Sequence, residues 1–278
     1  MKPEILVRQP RVDFSQGFAR HWHGGDAYKS CLFNTLSMMF PAGEQYFIDV
    51  EREFVPDIEA SGNSALQKDV RAFIAQEATH RHMHEQLNSQ LALQGYRNLV
   101  ESFIRWRIRM SQRVSRHSRL AVVIAYEHFT AILGDGLLRH RGWLETADEP
   151  LATIWRWHAA EETEHKAVAF DVYRLAGGGY WLRVSWFIYV SLVFFADSMW
   201  QTAVSLWKDG ALFRPSTCLS ALRFWLARKG LLWHIVPMWL GYFAPGFHPW
   251  KHDNRDLIDA WHASYGSDVR PTVVEAKL

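Results

Sequence analysis

Two short Glu-x-x-His units are the part of this chain best suited to chemistry: Glu77 with His80, and Glu162 with His165. On an α-helix, residues i and i+3 share one face, about 60° apart around the axis. Each unit can therefore direct one carboxylate and one imidazole at a common point. Because both groups are ligands of divalent metal ions, each unit predicts part of a metal site.

A weak internal repeat extends this pattern. Glu44 precedes the first unit by 33 residues, and Glu127 precedes the second unit by 35 residues. Each glutamate interrupts an apolar stripe, as Phe40 and Phe47 show around Glu44, and this predicts an inward-facing side chain. A buried carboxylate is costly unless a cation offsets its charge. Four carboxylates and two imidazoles on four helices therefore predict a buried site for two metal ions.

This ligand set is that of the ferritin-like di-iron carboxylate bundles. The sequence thus predicts an all-α fold, in which a ferritin-like four-helix bundle holds a dinuclear metal centre and is followed by extra C-terminal helices. The predicted cofactor is two iron ions, with manganese or zinc as alternatives. We place residues 1–278 in a single domain, with the metal-binding bundle at about 40–178 and a tryptophan-rich helical extension at about 180–278.

Two further histidines fall near the predicted metal-binding face. His158 lies four residues before Glu162 and seven before His165, which places it on the same side of the helix. His84 lies seven residues after Glu77 and comes level with His158 if the two helices run antiparallel. We predict His158 as a seventh ligand and His84 as a catalytic residue. For either histidine, the alternatives are a ligand, a gate, a proton carrier or a packing role.

Two polar residues directly precede the glutamates of the Glu-x-x-His units. Glu161 can accept the free ring N–H of His80 across the bundle, and Gln76 can do the same for His165. Such a contact fixes the tautomer of a metal-binding imidazole, and on this basis we predict Glu161 as a catalytic residue. Glu164 lies on the opposite side of its helix and is predicted to face solvent.

Helix signals indicate the elements that must position these groups. No segment shows the sustained alternation of a β-strand. Pro41 is predicted near the start of the first long helix, where its missing N–H is tolerated. Three further helical regions are predicted, at 64–95 with Ser64 as its cap, at 98–140 with a break near Ser115, and at 148–177. The later residues predict two or three more helices and an irregular tail.

Composition limits the partners and the compartment. A net charge of +2 at pH 7, with 49% hydrophobic residues, argues against a disordered chain, and no basic aromatic pattern indicates a nucleic-acid partner. Two cysteines cannot form a disulfide framework, and the first residues lack the apolar run of a signal peptide. We therefore expect a cytoplasmic protein.

Fourteen tryptophans, concentrated after residue 140, are the most unusual feature of the composition. The uncharged segment 184–196 is short for a membrane span. We interpret it first as a buried core helix, second as a segment that docks on a membrane surface, and last as a span. Peripheral membrane contact and a homodimer are both compatible with the sequence, and no residue pattern requires either.

Four segments carry a resemblance to known families: GEQYF, FIAQEATHRHMH, AYEHFTAIL and WHAAEETEHKAVAFDVY. In this order they resemble the bacterial family labelled "predicted metal-dependent hydrolase", over residues of roughly 30–250. The pattern is also similar to that of dinuclear non-haem iron oxygenases, in particular the p-aminobenzoate N-oxygenase group, whose di-iron sites carry an extra histidine. This second resemblance implies seven ligands: Glu44, Glu77, His80, Glu127, His158, Glu162 and His165. The tryptophan-rich C-terminal third departs from that group, which leaves the substrate open.

Three functions fit these residues. The first is an enzyme that uses two iron ions to activate O2 and oxidise a small hydrophobic or aromatic substrate, with an electron donor that the sequence does not identify. The second is a hydrolase in which the metal ions activate a water, as the family label implies. The third is non-catalytic metal storage or a purely structural metal site. The buried, glutamate-rich site and its apolar surroundings favour the first.

Overall fold

The computed structural model describes residues 2–271, and nearly all regular structure in this range is helical, which confirms the all-α prediction. The α-helices are α1 (Ala27–Arg52), α2 (Val55–Ala60), α3 (Ser64–Leu93), α4 (Val100–Ser111), α5 (Arg116–Arg139), α6 (Glu149–His165), α7 (Val168–Leu175), α8 (Tyr180–Lys208), α9 (Pro215–Leu226), α10 (Leu231–Gly241) and α11 (Arg255–Tyr265). Short 3-10 helices lie at Arg141–Trp143, Pro249–Lys251 and Gly266–Asp268. Two three-residue strands, β1 (Arg8–Pro10) and β2 (Val269–Pro271), pair antiparallel.

Four helices enclose the predicted metal-binding residues. α1 packs on α3 and α5 packs on α6, while contacts of α1 with α5 and of α3 with α6 close a four-helix bundle. Two apolar clusters fill the interior of the bundle. The first cluster includes α1 residues between positions 28 and 38, and the second includes α1 residues between positions 46 and 50. Glu44 lies between these two segments, so the clusters isolate the centre of the bundle from water on both sides along its axis. The ferritin-like topology and the single-domain assignment stay predictions.

The first long helix begins earlier than predicted. Asp26 caps α1 by accepting a hydrogen bond of 3.0 Å from the backbone N–H of Lys29, and Pro41 lies in the helix interior. An interior proline loses a backbone hydrogen bond and is normally unfavourable. Most residues from 28 to 39 are buried, so tertiary packing of this segment outweighs the local preference of proline.

The other predicted boundaries need smaller changes. Asn63, not Ser64, caps α3, and Gly95 follows the helix with φ +84°, a conformation that favours glycine. The break near Ser115 is confirmed, because α4 ends before it and the Ser115 side chain caps α5. The predicted helix over 148–177 is divided into α6 and α7, and the tail predicted as irregular contains α11 and β2.

The C-terminal helices lie directly on the bundle. α8 packs on α1 and α5, α9 on α1, α10 on α5, and α11 on α5 and α6. The interpretation of 184–196 as a buried core helix is only partly correct: Phe187 is fully buried, whereas Leu192 and Phe195 are 68% and 55% exposed. Of the described helices, α5 and α8 are long and apolar enough to cross a membrane, but α5 is mostly buried in the protein and α8 is not.

α5 approaches α6 closely at Gly134. A Cβ there would lie 2.9 Å from the backbone oxygen of Ala159, the residue after His158. We expect Gly134→Ala to shift α6 and destabilise the fold by about 1–3 kcal/mol, because a backbone oxygen cannot rotate away. Urea unfolding measures this change. The matched control is Gly43→Ala, whose nearest neighbour would be a Phe47 ring atom at 3.9 Å; equal destabilisation by both variants would contradict the expectation.

Candidate metal centre

The residues predicted as ligands and as catalytic groups all lie in the interior of the bundle, and each is at most 3% exposed. α1 and α5 each contribute one glutamate, whereas α3 and α6 each contribute a Glu-x-x-His unit and additional polar residues. The predicted site residues are Glu44 on α1; Glu77, His80 and His84 on α3; Glu127 on α5; and His158, Glu161, Glu162 and His165 on α6.

Among the described residues, four overlapping groups of donor atoms form the centre, and within each group one atom per residue lies within 4.8 Å of every other. They are Glu44 with Glu77 and His80; Glu77 with Glu127, Glu162 and His165; His80 with His158 and Glu162; and Glu44 with His84 and His158. Glu44, Glu77 and Glu162 each belong to two of these groups. A carboxylate has two oxygens and can join two cations, so the shared glutamates fit one dinuclear site better than two separate sites.

Several buried atoms at this centre lack a hydrogen-bond partner within the described part of the chain. Neither carboxylate oxygen of Glu44, Glu77 or Glu127 has a hydrogen-bond partner, and the same is true of Nδ1 of His80. Buried polar atoms are normally satisfied, because an unpaired buried carboxylate is strongly unfavourable. Two divalent cations would bring four positive charges to the four carboxylates. The residues present therefore fit a pair of metal ions.

The hydrogen bonds of the two Glu-x-x-His imidazoles determine which nitrogen faces the centre. Nε2 of His80 lies 3.0 Å from Oε2 of Glu161, and Nδ1 of His165 lies 2.9 Å from Oε1 of Gln76. An imidazole that donates N–H on one side presents a lone pair on the other. His80 thus presents Nδ1, and His165 presents Nε2, which lies 3.3–3.4 Å from three of the glutamates. Both contacts were predicted from the sequence, because Glu161 and Gln76 directly precede the glutamates of the two Glu-x-x-His units.

Burial controls protonation at this centre. Desolvation raises the pKa of Glu44 well above its usual range, raises the pKa of Glu77, and raises the pKa of Glu127 to about 8. Burial would also raise the pKa of Glu162, but its contacts with His165 and other imidazoles outweigh burial and lower the pKa. Without a cation, burial therefore shifts three of the four carboxyls towards the protonated form. Metal binding would release protons from them.

His158 connects this centre to His84. Nε2 of His158 lies 2.8 Å from Oε1 of Glu162, and its Nδ1 lies 2.7 Å from Nε2 of His84. Nδ1 of His84 lies 2.9 Å from the hydroxyl of Ser37. Both ring nitrogens of His84, like both of His158, therefore have protein partners. Burial lowers the pKa of His158 to about 4 and that of His84 well below its usual value, so both rings are neutral at pH 7.

The prediction that Glu164 faces solvent is wrong. Its carboxylate is buried and accepts two hydrogen bonds of 2.9 Å from the guanidinium of Arg8 and one of 3.1 Å from Gln76. The side chain does point away from the metal-binding face, but β1 and α11 cover that side of α6. Arg8 also donates its backbone N–H to Glu161 at 3.0 Å. The pKa of Glu164 is lowered, because hydrogen bonds from His262 and Arg8 outweigh burial.

Sequence reasoning also missed Glu51. This side chain is fully buried, and neither of its carboxylate oxygens has a partner within the described residues. Burial, with a smaller contribution from Glu127, raises the pKa of Glu51 to about 8. A signal was present, since Glu51 follows Glu44 by seven residues and two turns of helix return to the same face.

We expect Glu51→Gln to flatten the pH dependence of stability in the metal-free protein. The folded-state pKa of about 8 lies above the ordinary value of 4.5, so between these values the folded protein holds a proton that the unfolded chain releases. Stability therefore falls as pH rises through this window, by about 1.4 kcal/mol per pH unit for one such group. Urea unfolding between about pH 5 and 7 measures the slope. Asp49→Asn, an exposed change on the same helix, should leave the slope unchanged. Parallel curves for wild type and Glu51→Gln would contradict the expectation.

Two apolar cavities, of about 640 and 340 Å³, reach the centre. His158 and Glu162 line both cavities, and Phe40 and Phe194 also border both. Glu44 lines the larger one, together with aromatic and aliphatic side chains from α1, α4, α5 and α8. An apolar compound can therefore approach the donor groups through walls that consist mainly of carbon.

A comparison with known protein families identifies the family of this chain. The family model described as "Predicted metal-dependent hydrolase" matches residues 6–253, a range that contains the whole bundle and α8–α10. Comparisons with curated proteins and with solved structures gave no match. The predicted resemblance of the four segments to this family is confirmed, whereas the resemblance to the p-aminobenzoate N-oxygenase group stays a prediction. Since the match covers most of the sequence, this chain belongs to the predicted metal-dependent hydrolase family.

Proposed function

We propose that this chain is a dinuclear metal enzyme that uses O2 to oxidise a small apolar substrate. The observation that carries the proposal is the meeting of the donor groups with two apolar cavities at His158 and Glu162. Apolar walls exclude water and favour an uncharged, carbon-rich substrate. A buried set of carboxylates and imidazoles suits iron or manganese.

The proposed ligands are Glu44, Glu77, His80, Glu127, His158, Glu162 and His165. Two iron ions bound to these groups would supply redox chemistry towards O2. Glu161 and Gln76 hold the rings of His80 and His165 in one tautomer, through contacts of 3.0 and 2.9 Å. These contacts orient the ligands before the substrate arrives.

A second set of hydrogen bonds leads away from the centre. His158 contacts His84, His84 contacts Ser37, and the Ser37 hydroxyl lies 2.8 Å from Oδ1 of Asn88. Both imidazoles are neutral, so each can accept a proton on one nitrogen and donate one from the other. We propose that His84 positions His158 and carries protons between the centre and this polar chain.

Hydrolysis is the second candidate, because the family description names it. In that case His158, a neutral imidazole 2.8 Å from Glu162, would act as a base and not as a ligand, and would accept a proton from a water held at the centre. The mainly apolar cavities would then favour an uncharged ester or amide over a phosphorylated substrate.

Anaerobic loading with ferrous iron, followed by addition of O2, separates the two candidates. We expect two iron ions per chain, O2 consumption with a change in the absorption spectrum, and oxidation of members of a panel of apolar aromatic and alkyl compounds. Zinc-loaded protein is the control and should consume no O2. Hydrolysis of uncharged esters or amides by the zinc or manganese form, with an iron form inert to O2, would favour the second candidate. Inertness in all assays would contradict both.

We expect Gly43→Leu to lower turnover about tenfold or more without changing metal content. Gly43 lines the larger cavity, and a Cβ there would meet only the Phe47 ring at 3.9 Å. The leucine side chain therefore projects into the cavity and displaces substrate. Metal analysis and O2 consumption on the same preparation measure both quantities, with Gly43→Ala as the smaller control. Full turnover in Gly43→Leu would exclude the larger cavity as the substrate site.

A further inference from the structure

The helices α8, α9 and α10 expose large apolar side chains on one continuous surface. Its members are Leu192 and Phe195 on α8, Leu226 on α9, and Trp233, Val236 and Leu240 on α10, each between 43% and 68% exposed. We call this set the α8–α10 face. An exposed apolar surface built from several helices is typical of a binding surface.

Contacts between neighbouring helices show that this face is continuous. The rings of Phe195 on α8 and Trp225 on α9 have centroids 6.0 Å apart. Nε1 of Trp239 on α10 donates to the Ser191 hydroxyl on α8 at 2.9 Å. Nε1 of Trp233 on α10 donates to the backbone oxygen of Leu226, the last residue of α9, at 3.0 Å. These side-chain contacts connect the three helices around the smaller cavity.

The charged side chains on and between α9 and α10 have a single sign. Residues 210–241 contain no acidic residue and four basic ones, Arg214, Arg223, Arg228 and Lys229. All four side chains are exposed, and none forms an ion pair with another described residue. Apolar side chains combined with lysine and arginine are the pattern of helices that lie in the interface of an anionic bilayer.

The same charges disfavour a second copy of this chain as the occupant. In a twofold-symmetric dimer the same surface of each chain meets its equivalent, so the basic residues of both copies would come together. An anionic bilayer can bind both kinds of side chain: its headgroups attract the basic residues, and its acyl chains bury the apolar ones.

The smaller cavity opens on this face. Leu192, Phe195 and Val236 belong to the exposed face and also line that cavity, whose inner end is bordered by His158 and Glu162. We propose that the α8–α10 face docks on the surface of an anionic membrane and that apolar compounds dissolved in the lipid enter the smaller cavity there. The docking is independent of the proposed function, whereas the entry route rests on it.

Vesicle co-sedimentation tests the docking. The protein, metal-free and metal-loaded, is mixed with vesicles of phosphatidylcholine alone or of equal parts phosphatidylcholine and phosphatidylserine. We expect both protein forms to bind the anionic vesicles preferentially. Arg228→Gln should weaken this partitioning about fivefold, the effect of one cation near an anionic surface. Trp233→Glu should weaken it more strongly, because it removes apolar contact and adds an anion.

Matched controls lie on α3, which does not contact α8, α9 or α10 extensively. Arg71→Gln removes an exposed cation, and Leu93→Glu changes an exposed apolar residue, so neither should alter vesicle binding. Absence of binding to anionic vesicles, or equal losses in the control variants, would overturn the docking. A lipid-free dimer that Trp233→Glu dissociates, without vesicle binding, would instead assign the face to a second copy.

The entry route has its own readout. With an apolar substrate identified from the panel above, Trp233→Glu should lower turnover when the substrate is supplied in anionic vesicles and leave turnover unchanged when it is supplied in aqueous buffer. Equal loss under both conditions would overturn the entry route. An iron-loaded protein that binds vesicles but never consumes O2 would contradict the proposed function and leave the docking intact.

Discussion

Glu162→Gln should lower the metal content of the purified, metal-loaded protein to near zero. The carboxylate of Glu162 lies 3.4 Å from Nδ1 of His80, 3.3 Å from Nε2 of His165 and 2.8 Å from Nε2 of His158. Like Glu44 and Glu77, it is thus a glutamate shared between groups of donor atoms. Glutamine keeps the volume but removes one negative charge and one oxygen that could bind metal, so a bound cation would lose a ligand and part of the charge that holds it.

Metal analysis after anaerobic loading and desalting measures the effect, and circular dichroism confirms that the variant is folded. Glu85→Gln is the matched control, since Glu85 is an exposed glutamate on the bundle helix α3. Glu164 is unsuitable as a control because it is buried against Arg8. Two metal ions per chain in Glu162→Gln would contradict the assignment of the centre.

Arg8→Ala should destabilise the fold by about 3–5 kcal/mol, the cost of breaking a buried ion pair by removing one partner. The Arg8 guanidinium donates twice to Glu164 at 2.9 Å, and both side chains are almost completely buried. Removal of Arg8 leaves the charge of Glu164 without its main partner in a site that water does not reach. Glu161 would retain the backbone N–H of residue 8 only if β1 kept its place.

Urea unfolding of the metal-free protein measures this loss. Arg11→Ala, an exposed change just after β1, should alter stability by no more than about 0.5 kcal/mol. Adding Glu164→Gln to Arg8→Ala should recover part of the loss, because the unpaired charge is removed with it. A loss below about 1 kcal/mol in Arg8→Ala would show that the pair contributes little to the fold.

The centre could be predicted from sequence because its information is local. The spacing in Glu77-x-x-His80 fixes two donors on one helix face, and the apolar residues around Glu44 and Glu127 show which face is buried. The contact between Glu161 and His80 followed from the same register. The all-α class followed from the absence of period-two alternation.

Long-range pairing could not be predicted in this way. Arg8 and Glu164 are separated by 156 positions, and no local pattern links an N-terminal arginine to the outer face of a helix. The start of α1 was predicted wrongly for a related reason. Pro41 locally favours a helix start, but the buried segment before it packs as helix and places Pro41 in the helix interior. For 184–196, apolar composition could not show which side chains the bundle covers and which remain exposed.

The pairing of β1 with β2 bears on how the protein is made. β2 is synthesised more than a hundred residues after His165, so a nascent chain already carries every donor group before the strand that pairs with Arg8 has left the ribosome. Until then β1, which holds the Arg8 guanidinium against Glu164 and donates its backbone N–H to Glu161, has no partner strand. We therefore expect the support that Glu161 gives to the His80 imidazole to become firm only after Val269–Pro271 has folded onto β1.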